Sequence, residues 1–378
     1  MKLSIPRSLS GLLLAAALAL GARSGRAAGP GYDEALAMYR AGDFAGVVAK
    51  LEAGSKAPPV DIDASLLLGL AYLRLDRPDR AARAWSDYVK EADPTRSAKL
   101  ARLRTLVIRE GNVRAARAAV ELEKQEPPRG VAGILAVFPL RNTGGAENGA
   151  LVTALSAMLS ANLSGLPTEE VIGRDRVERF VAAAGGLKLD DTEQVARIGR
   201  LLRAANVVVG TIEVSSTTPA TVDLDTALIE TASGRRVESA SFVGPIDRFY
   251  APVRDTAVIL SNELGWPVSV LPQAPAARVQ ATHTKSLPAA TAYGRGLDLE
   301  AHGDFDGARA ELQAALREDP SFELARRQLA TLPEAPMTLG AVADTVEVEL
   351  LDASPASRGG VPGVFDPSLA VPLPPPQP

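Results

Sequence analysis

Short apolar runs alternating with longer amphipathic stretches between residues 130 and 266 constrain this chain more than any other feature. The first run, Gly133-Ile-Leu-Ala-Val-Phe-Pro139, breaks into a polar turn, Arg141-Asn-Thr-Gly-Gly-Ala-Glu-Asn148. Helical spacing follows over 151–163, then a brief apolar step at Val171-Ile172, then helical spacing again over 177–184 and 192–204. A second run, Asn206-Val-Val-Val-Gly-Thr-Ile-Glu-Val214, precedes two alternating segments, 222–229 and 237–243, joined by Thr231-Ala-Ser-Gly-Arg235. An amphipathic stretch over 246–264 closes the block. Apolar runs of about four to eight residues read as strands, and apolar residues recurring at helical period read as the helices that cover them. The order predicts a mixed sheet with helices packed on it, an α/β domain over 130–266. The whole chain is then α+β and multidomain.

Residues 29–128 carry an internal repeat. Gly42-Asp-Phe44, Asp76-Arg-Pro78 and Gly111-Asn-Val113 lie about 34 residues apart, and each predicts a corner between two helices. Around the middle corner, Gly69, Tyr72, Ala81, Trp85 and Tyr88 resemble the small and large positions of the tetratricopeptide pattern. Small residues let paired helices approach, large ones fill the groove, and neighbouring repeats bury faces that one repeat leaves open. Pro59, Pro94 and Pro128 fall where each second helix must stop. The alternative arrangement is an ordinary bundle of alanine-rich hairpins. Residues 289–332 give one further repeat, with Gly296, Leu299, Gly303-Asp-Phe305, Ala308, Leu312, Ala315 and Asp319-Pro320, capped by a helix over 322–329. The intervening 267–288 reads as an irregular linker. The tail, 333–378, is rich in proline and has little to bury, so it reads as largely disordered. A short strand over 346–350 is the one element expected within it.

The ends and the composition restrict the setting. Lys2 and Arg7 precede an apolar run over 11–22 that is too short to span a bilayer. Residues 1–28 therefore read as a cleaved secretory signal, with an uncleaved anchor as the alternative. That places the mature chain in the periplasm. The sequence contains no cysteine, which excludes disulfides, thiolate metal sites and a lipid-bearing N-terminal cysteine. A formal net charge of −4 gives no reason to expect nucleic acid as a partner.

The central block resembles the TolB amino-terminal-like and CsgG (curli-assembly) superfamily. The resemblance rests on Ile134-Leu-Ala-Val-Phe-Pro-Leu-Arg-Asn142, on Leu202-Arg-Ala-Ala-Asn-Val-Val-Val-Gly210, and on Leu228-Ile-Glu-Thr-Ala-Ser-Gly234. Asn206 and Glu230 depart from the acid and aspartate usual at those positions. The resemblance implies the α/β fold and covers roughly a third of the chain. It does not imply one task, because such a fold serves many.

Residues suited to catalysis are scarce. His283 lies in the expected linker and His302 beside a repeat corner, so neither reads as a catalytic base. No nucleophile elbow, phosphate-binding Gly-Lys-Ser/Thr loop or His-Glu-x-x-His site occurs in the sequence. Asp223 and Asp225 alternate on one strand and share a face, which reads as a solvated surface. The turn over 142–148 precedes a helix and is suited to an anion, although its glycines serve a tight turn equally well. The expectation is therefore no catalytic residue, no metal ligand and no cofactor. Arg141, Asn142, Arg174, Arg176 and Arg179 sit on polar edges of the central block and are the candidate partner-binding residues. The mixed run over 174–179 reads as an exposed helix start. These features favour a non-catalytic periplasmic adaptor that contacts other envelope proteins and reaches the outer membrane through a partner. The alternative is a component of a CsgG-type outer-membrane secretion or curli-assembly complex.

Overall fold

The computed structural model describes residues 31–54, 61–167, 169–215 and 218–352. The expected signal, Pro59 and the chain beyond Asp352 lie outside the described residues. Five helices open the structure: α1 (Tyr32–Arg40), α2 (Phe44–Gly54), α3 (Ile62–Arg74), α4 (Pro78–Glu91) and α5 (Pro94–Glu123). Asp61 and Asp93 cap α3 and α5 by accepting from the first free backbone N–H groups, and Pro78 and Pro94 sit in the first turn, where no donor is needed. In the α3–α4 hairpin the pyrrole side of the Trp85 indole sits against Gly69, filling the volume a Cβ would occupy. Its Nε1–H donates to the Leu66 carbonyl at 3.1 Å, while Tyr72 and Ala81 are buried beside it.

The expected third corner is absent. Residues 111–113 lie inside α5, which runs unbroken for 30 residues. Gly111 is disfavoured in a helix by about 1 kcal/mol relative to alanine, but here it lets α5 press against the backbone of Pro78 and Asp79 at the start of α4. No proline stops the helix, and its second half lies across the sheet layer instead of folding back.

That layer contains β1 (Val131–Val137), β2 (Arg141–Asn142), α6 (Gly149–Leu163), β3 (Glu170–Val171), α7 (Arg174–Ala183), α8 (Thr192–Leu201), β4 (Ala204–Ser215), β5 (Thr221–Glu230), β6 (Arg236–Pro245) and α9 (Tyr250–Glu263). The strand order is β3-β1-β4-β5-β6, with β2 pairing on β4 in line with β1. Pairing is parallel among β3, β1, β2 and β4 and antiparallel from β4 through β6. Side chains alternate between two covered faces. Leu135, Val137, Val208, Ile212, Leu224 and Leu228 pack with α6 and α9. Ala136, Phe138, Val207, Val209 and Ile229 pack with α5, α7 and α8. Burial on both sides is why β1 and the first half of β4 are nearly continuous apolar runs.

The chain continues as α10 (Gln273–Val279), α11 (Leu287–His302), α12 (Phe305–Glu318), α13 (Glu323–Thr331) and α14 (Leu339–Val346), the last extended by a π-helical turn, Glu347–Leu351. Two expectations need correction. The stretch 267–288 is not an irregular linker: it holds α10, whose Val279 is buried against α6. Residues 346–350 are helical, not a strand, because Val346 and Leu350 are buried four apart while Val348 is exposed. The described part of the tail, up to Asp352, is therefore ordered structure packed on α3 and α5. The protein is α+β, with fourteen α-helices and a mixed six-stranded sheet among the described residues. None of those helices is long and apolar enough to cross a membrane.

Candidate functional site

Helix α7 begins with Arg174-Asp-Arg after Gly173, a charged stretch two residues beyond β3. The structure places this start inside a cleft between α5, α7 and α11, not on an open face. The cleft has a volume of about 380 Å³, and Arg109, Asn112, Asp175, Arg176, Leu297 and Glu300 are among its walls. Arg174, Arg176 and Arg179 are all half-buried, which corrects the expectation of an exposed helix start. The physical reason is the straight course of α5, which carries Asn112 to a buried position facing α7.

Each charged group there is engaged within the molecule. Arg174 donates to Glu178 at 2.6 Å and reaches Asp298 of α11 at 3.6 Å. Asp175 accepts from Asn112 Nδ2 at 2.9 Å and from Arg179 at 3.2 Å. Arg176 donates to Asn112 Oδ1 at 3.3 Å and lies over the Phe180 ring, 4.8 Å from its centroid. Burial pushes the Arg176 guanidinium pKa down, as desolvation disfavours the charged form. On the opposite wall, Arg109 donates to the carbonyls of Glu300 and Ala301 at 2.8 and 3.2 Å, satisfying the C-terminal end of α11. Glu300 accepts from Gln328 at 2.5 Å, and burial pushes its pKa up. The cleft is thus a polar clamp that ties the first helices, the sheet layer and the C-terminal hairpin together.

The other candidate edge behaves differently. Asn142 is half-buried and builds its own turn: its Oδ1 accepts from Gly144 N at 3.0 Å and its Nδ2 donates to the Gly145 carbonyl at 2.8 Å. Arg141 is exposed on β2 and makes no ion pair among the described residues. Asp225 is exposed, and Asp223 lies beside Glu213 across the β4–β5 pair. Burial first, then Asp225 and Glu213, push the Asp223 carboxyl up.

His283, expected in a linker, is half-buried and packed on α6. Asn162 on α6 donates through Nδ2 to the carbonyls of Val279 and Ala281, so its Oδ1 faces His283 Nε2 as an acceptor at 2.7 Å. Nε2 is then the donor in that bond. Burial, reinforced by Arg327, lowers the His283 pKa to about 4. His302 Nδ1 contacts its own helix at the Asp298 carbonyl, 2.7 Å away. Sequence reasoning missed Arg109, Asn112, Asn162 and Glu300. The available signal was weak: a polar residue in the middle of an otherwise amphipathic helix.

The repeat-pattern residues of the second hairpin sit as follows. Gly296, Ala308 and Ala315 are buried between α11 and α12, with Leu312 against Gly296. Pro320 is exposed in the turn that follows α12. No protein-family model and no curated protein matches the chain. Among solved structures, the crystal structure of lipoprotein GNA1162 from Neisseria meningitidis is similar over 35% of this chain and 96% of its own, at 18% identity and a TM-score of 0.26. At that level the likeness says nothing about what this chain does.

Proposed function

We propose that the chain is a non-catalytic adaptor of the cell envelope, acting in the periplasm, in which tetratricopeptide-like helix pairs hold a segment of another envelope protein. The sheet layer, read as a TolB amino-terminal-like and CsgG-like domain, is the body on which those pairs are mounted. One observation carries this reading. An open groove of about 790 Å³ lies across α2, α3 and α4, lined by Ala49, Glu52, Leu68, Tyr72, Arg80 and Arg83 among others. Its floor is apolar and its rim carries both signs of charge. That composition suits an extended or helical peptide with a few polar anchors. Arg80 reaches Glu52 at 3.6 Å and lies over the Tyr72 ring, and among the described residues Arg83 pairs only with Asp79, one turn away.

The test is capture from a native envelope extract by the full chain and by the double variant R80E/R83E. Both side chains are more than half exposed, so the variant should melt with the parent. The expected result is loss of at least one partner captured by the parent. Retention of every partner by a folded R80E/R83E chain would reject the groove as the gripping surface.

A further inference from the structure

Apart from that groove, another face of the N-terminal helices already holds a helix. Helices α3 and α5 receive α14 with its π-helical turn, and α1 adjoins them and reaches that turn through Tyr39. Val342, Val346 and Leu350, four residues apart, are buried with Ala343 and Leu351 against this face. Around that stripe runs a set of ion pairs of a single polarity. Arg74 of α3 donates to Asp344 at 2.9 Å and to Glu347 at 2.7 Å, and Tyr39 of α1 donates to Glu347 at 2.8 Å. Along α5, Lys99 pairs with Glu349, Arg96 donates to the Leu350 carbonyl at 2.5 Å, and Arg102 pairs with Glu334 at 2.8 Å. The receiving face is basic and the seated segment acidic: between Arg327 and Arg358 the sequence contains no lysine or arginine.

We propose that residues 339–351 are an intramolecular ligand: the α1/α3/α5 face is a docking site for an acidic amphipathic helix, occupied by the chain's own C-terminal helix until a partner helix of the same chemistry displaces it. The recognition is helix-in-groove, with apolar anchors at i, i+4 and i+8 and carboxylates between them. Three features make the seat separable from the fold. The segment is joined to α13 only through 332–338, which include Pro333 and Pro336. Its own secondary structure is an eight-residue helix capped by Thr338 and a five-residue π-helical turn, too short to be stable as a helix apart from the face it sits on. The pairs made by Asp344 and Glu349 lie at the surface, where salt weakens them, while Arg74–Glu347 is partly buried. Displacement is then an exchange of one acidic helix for another, with no rearrangement of α1, α3 or α5 required. The inference does not depend on the α2–α4 groove, since R80E/R83E leaves this face intact.

The test uses the full chain. In D344K/E347K/E349K the receiving face is unchanged while its occupant is repelled. A fluorescent peptide with the natural sequence of residues 339–352 should bind this variant at least tenfold more tightly than the natural chain, and more weakly as salt is raised. In the natural chain, backbone amides of 340–350 should exchange with deuterium at least tenfold faster than those of α3 and α5 beneath them. Absence of peptide binding to the released, folded variant would overturn the proposal. Equal exchange protection in the natural chain would also overturn it, and that measurement decides the matter where the triple variant fails to fold. A concentration-dependent dimer that the peptide dissolves would mean that a second copy supplies the helix, which overturns the intramolecular assignment.

Discussion

The α3–α4 and α11–α12 hairpins share one design and are attached to the rest of the molecule in opposite ways. In both, a glycine in the first helix faces a large side chain of the second: Gly69 with Trp85, Gly296 with Leu312. In both, the second helix starts just after a tight corner, at Asp76 with φ 58° or at Gly303 with φ 85°. The α11 hairpin is fixed to the sheet layer. A Cβ on Gly294 would strike the Ala150 carbonyl of α6, and Asp298 accepts from Thr153 at 3.0 Å. The α3 hairpin touches the acidic C-terminal helix and α5 instead. A helix pair can therefore keep its internal packing while its outer face is committed to a rigid layer or left to an exchangeable segment. Internal packing alone does not tell which.

The largest effect expected is on the internal packing. Trp85 is fully buried and bonded through Nε1, so Trp85→Ala should lower stability by about 3–5 kcal/mol. Leu312→Ala should cost about 2–3 kcal/mol, the lower part of the range for a buried leucine. Urea titration of both variants checks this. Equal losses would mean that the two hairpins rely on their large residue to the same degree.

The second effect belongs to the attachment of the α11 hairpin. His283 ordinarily titrates near 6.5 and is lowered to about 4 in the folded protein. Between those values the unfolded chain binds more protons than the folded one, so stability rises with pH across that window and is lost as pH falls through it. The full loss below pH 4 is about 3 kcal/mol. Melting curves from pH 7 to pH 4 should show this component in the natural chain and lack it in His283→Gln. A parallel pH dependence in both proteins would remove His283 as its source.

Smaller still is the difference between the two glycines. Gly69→Ala forces an added methyl into a fixed indole ring and should cost about 1–3 kcal/mol. Gly296→Ala meets Leu312 Cγ at 3.0 Å, a side chain able to shift. The gain in helix propensity, about 1 kcal/mol, should offset most of that contact. Thermal melts that fall equally for both would show that the Leu312 side chain is as immobile as the indole.

These contrasts also mark what the sequence could reveal. The strands were legible because β-branched and apolar residues alternate or run continuously where both sheet faces are covered. The α3–α4 corner was legible because Pro78 can only begin a helix. Gly111-Asn112 looks like the same signal, yet here packing against α4 and α7 outweighs local preference and the helix continues. Helix α10 was hidden by Pro272 and Pro275, which read as linker but fall at a helix start, where the missing N–H costs nothing. His283 looked like a linker residue because its partner, Asn162, is 121 residues away in the chain. The charged run at 174–179 has the composition of an exposed helix start, and only the path of α5 closes it.

The smallest effect separates two arginines that look alike in sequence. Arg141 and Arg176 both stand at polar edges of the sheet region, but only Arg176 is half-buried, with Asn112 and the Phe180 ring as its partners. Arg141 is exposed and without an ion pair among the described residues, so Arg141→Glu should shift stability by less than about 0.5 kcal/mol. Arg176→Glu would set a carboxylate beside Glu170, whose charge already acts on this position, and against the face of Phe180. Loss of the hydrogen bond and desolvation of the new charge should cost about 2 kcal/mol. Chemical denaturation of the two single variants, side by side, distinguishes an open edge from a closed clamp. If Arg141→Glu proves as damaging as Arg176→Glu, the β2 edge is also closed by contacts, and the clamp at α7 loses its special place in holding the three parts together.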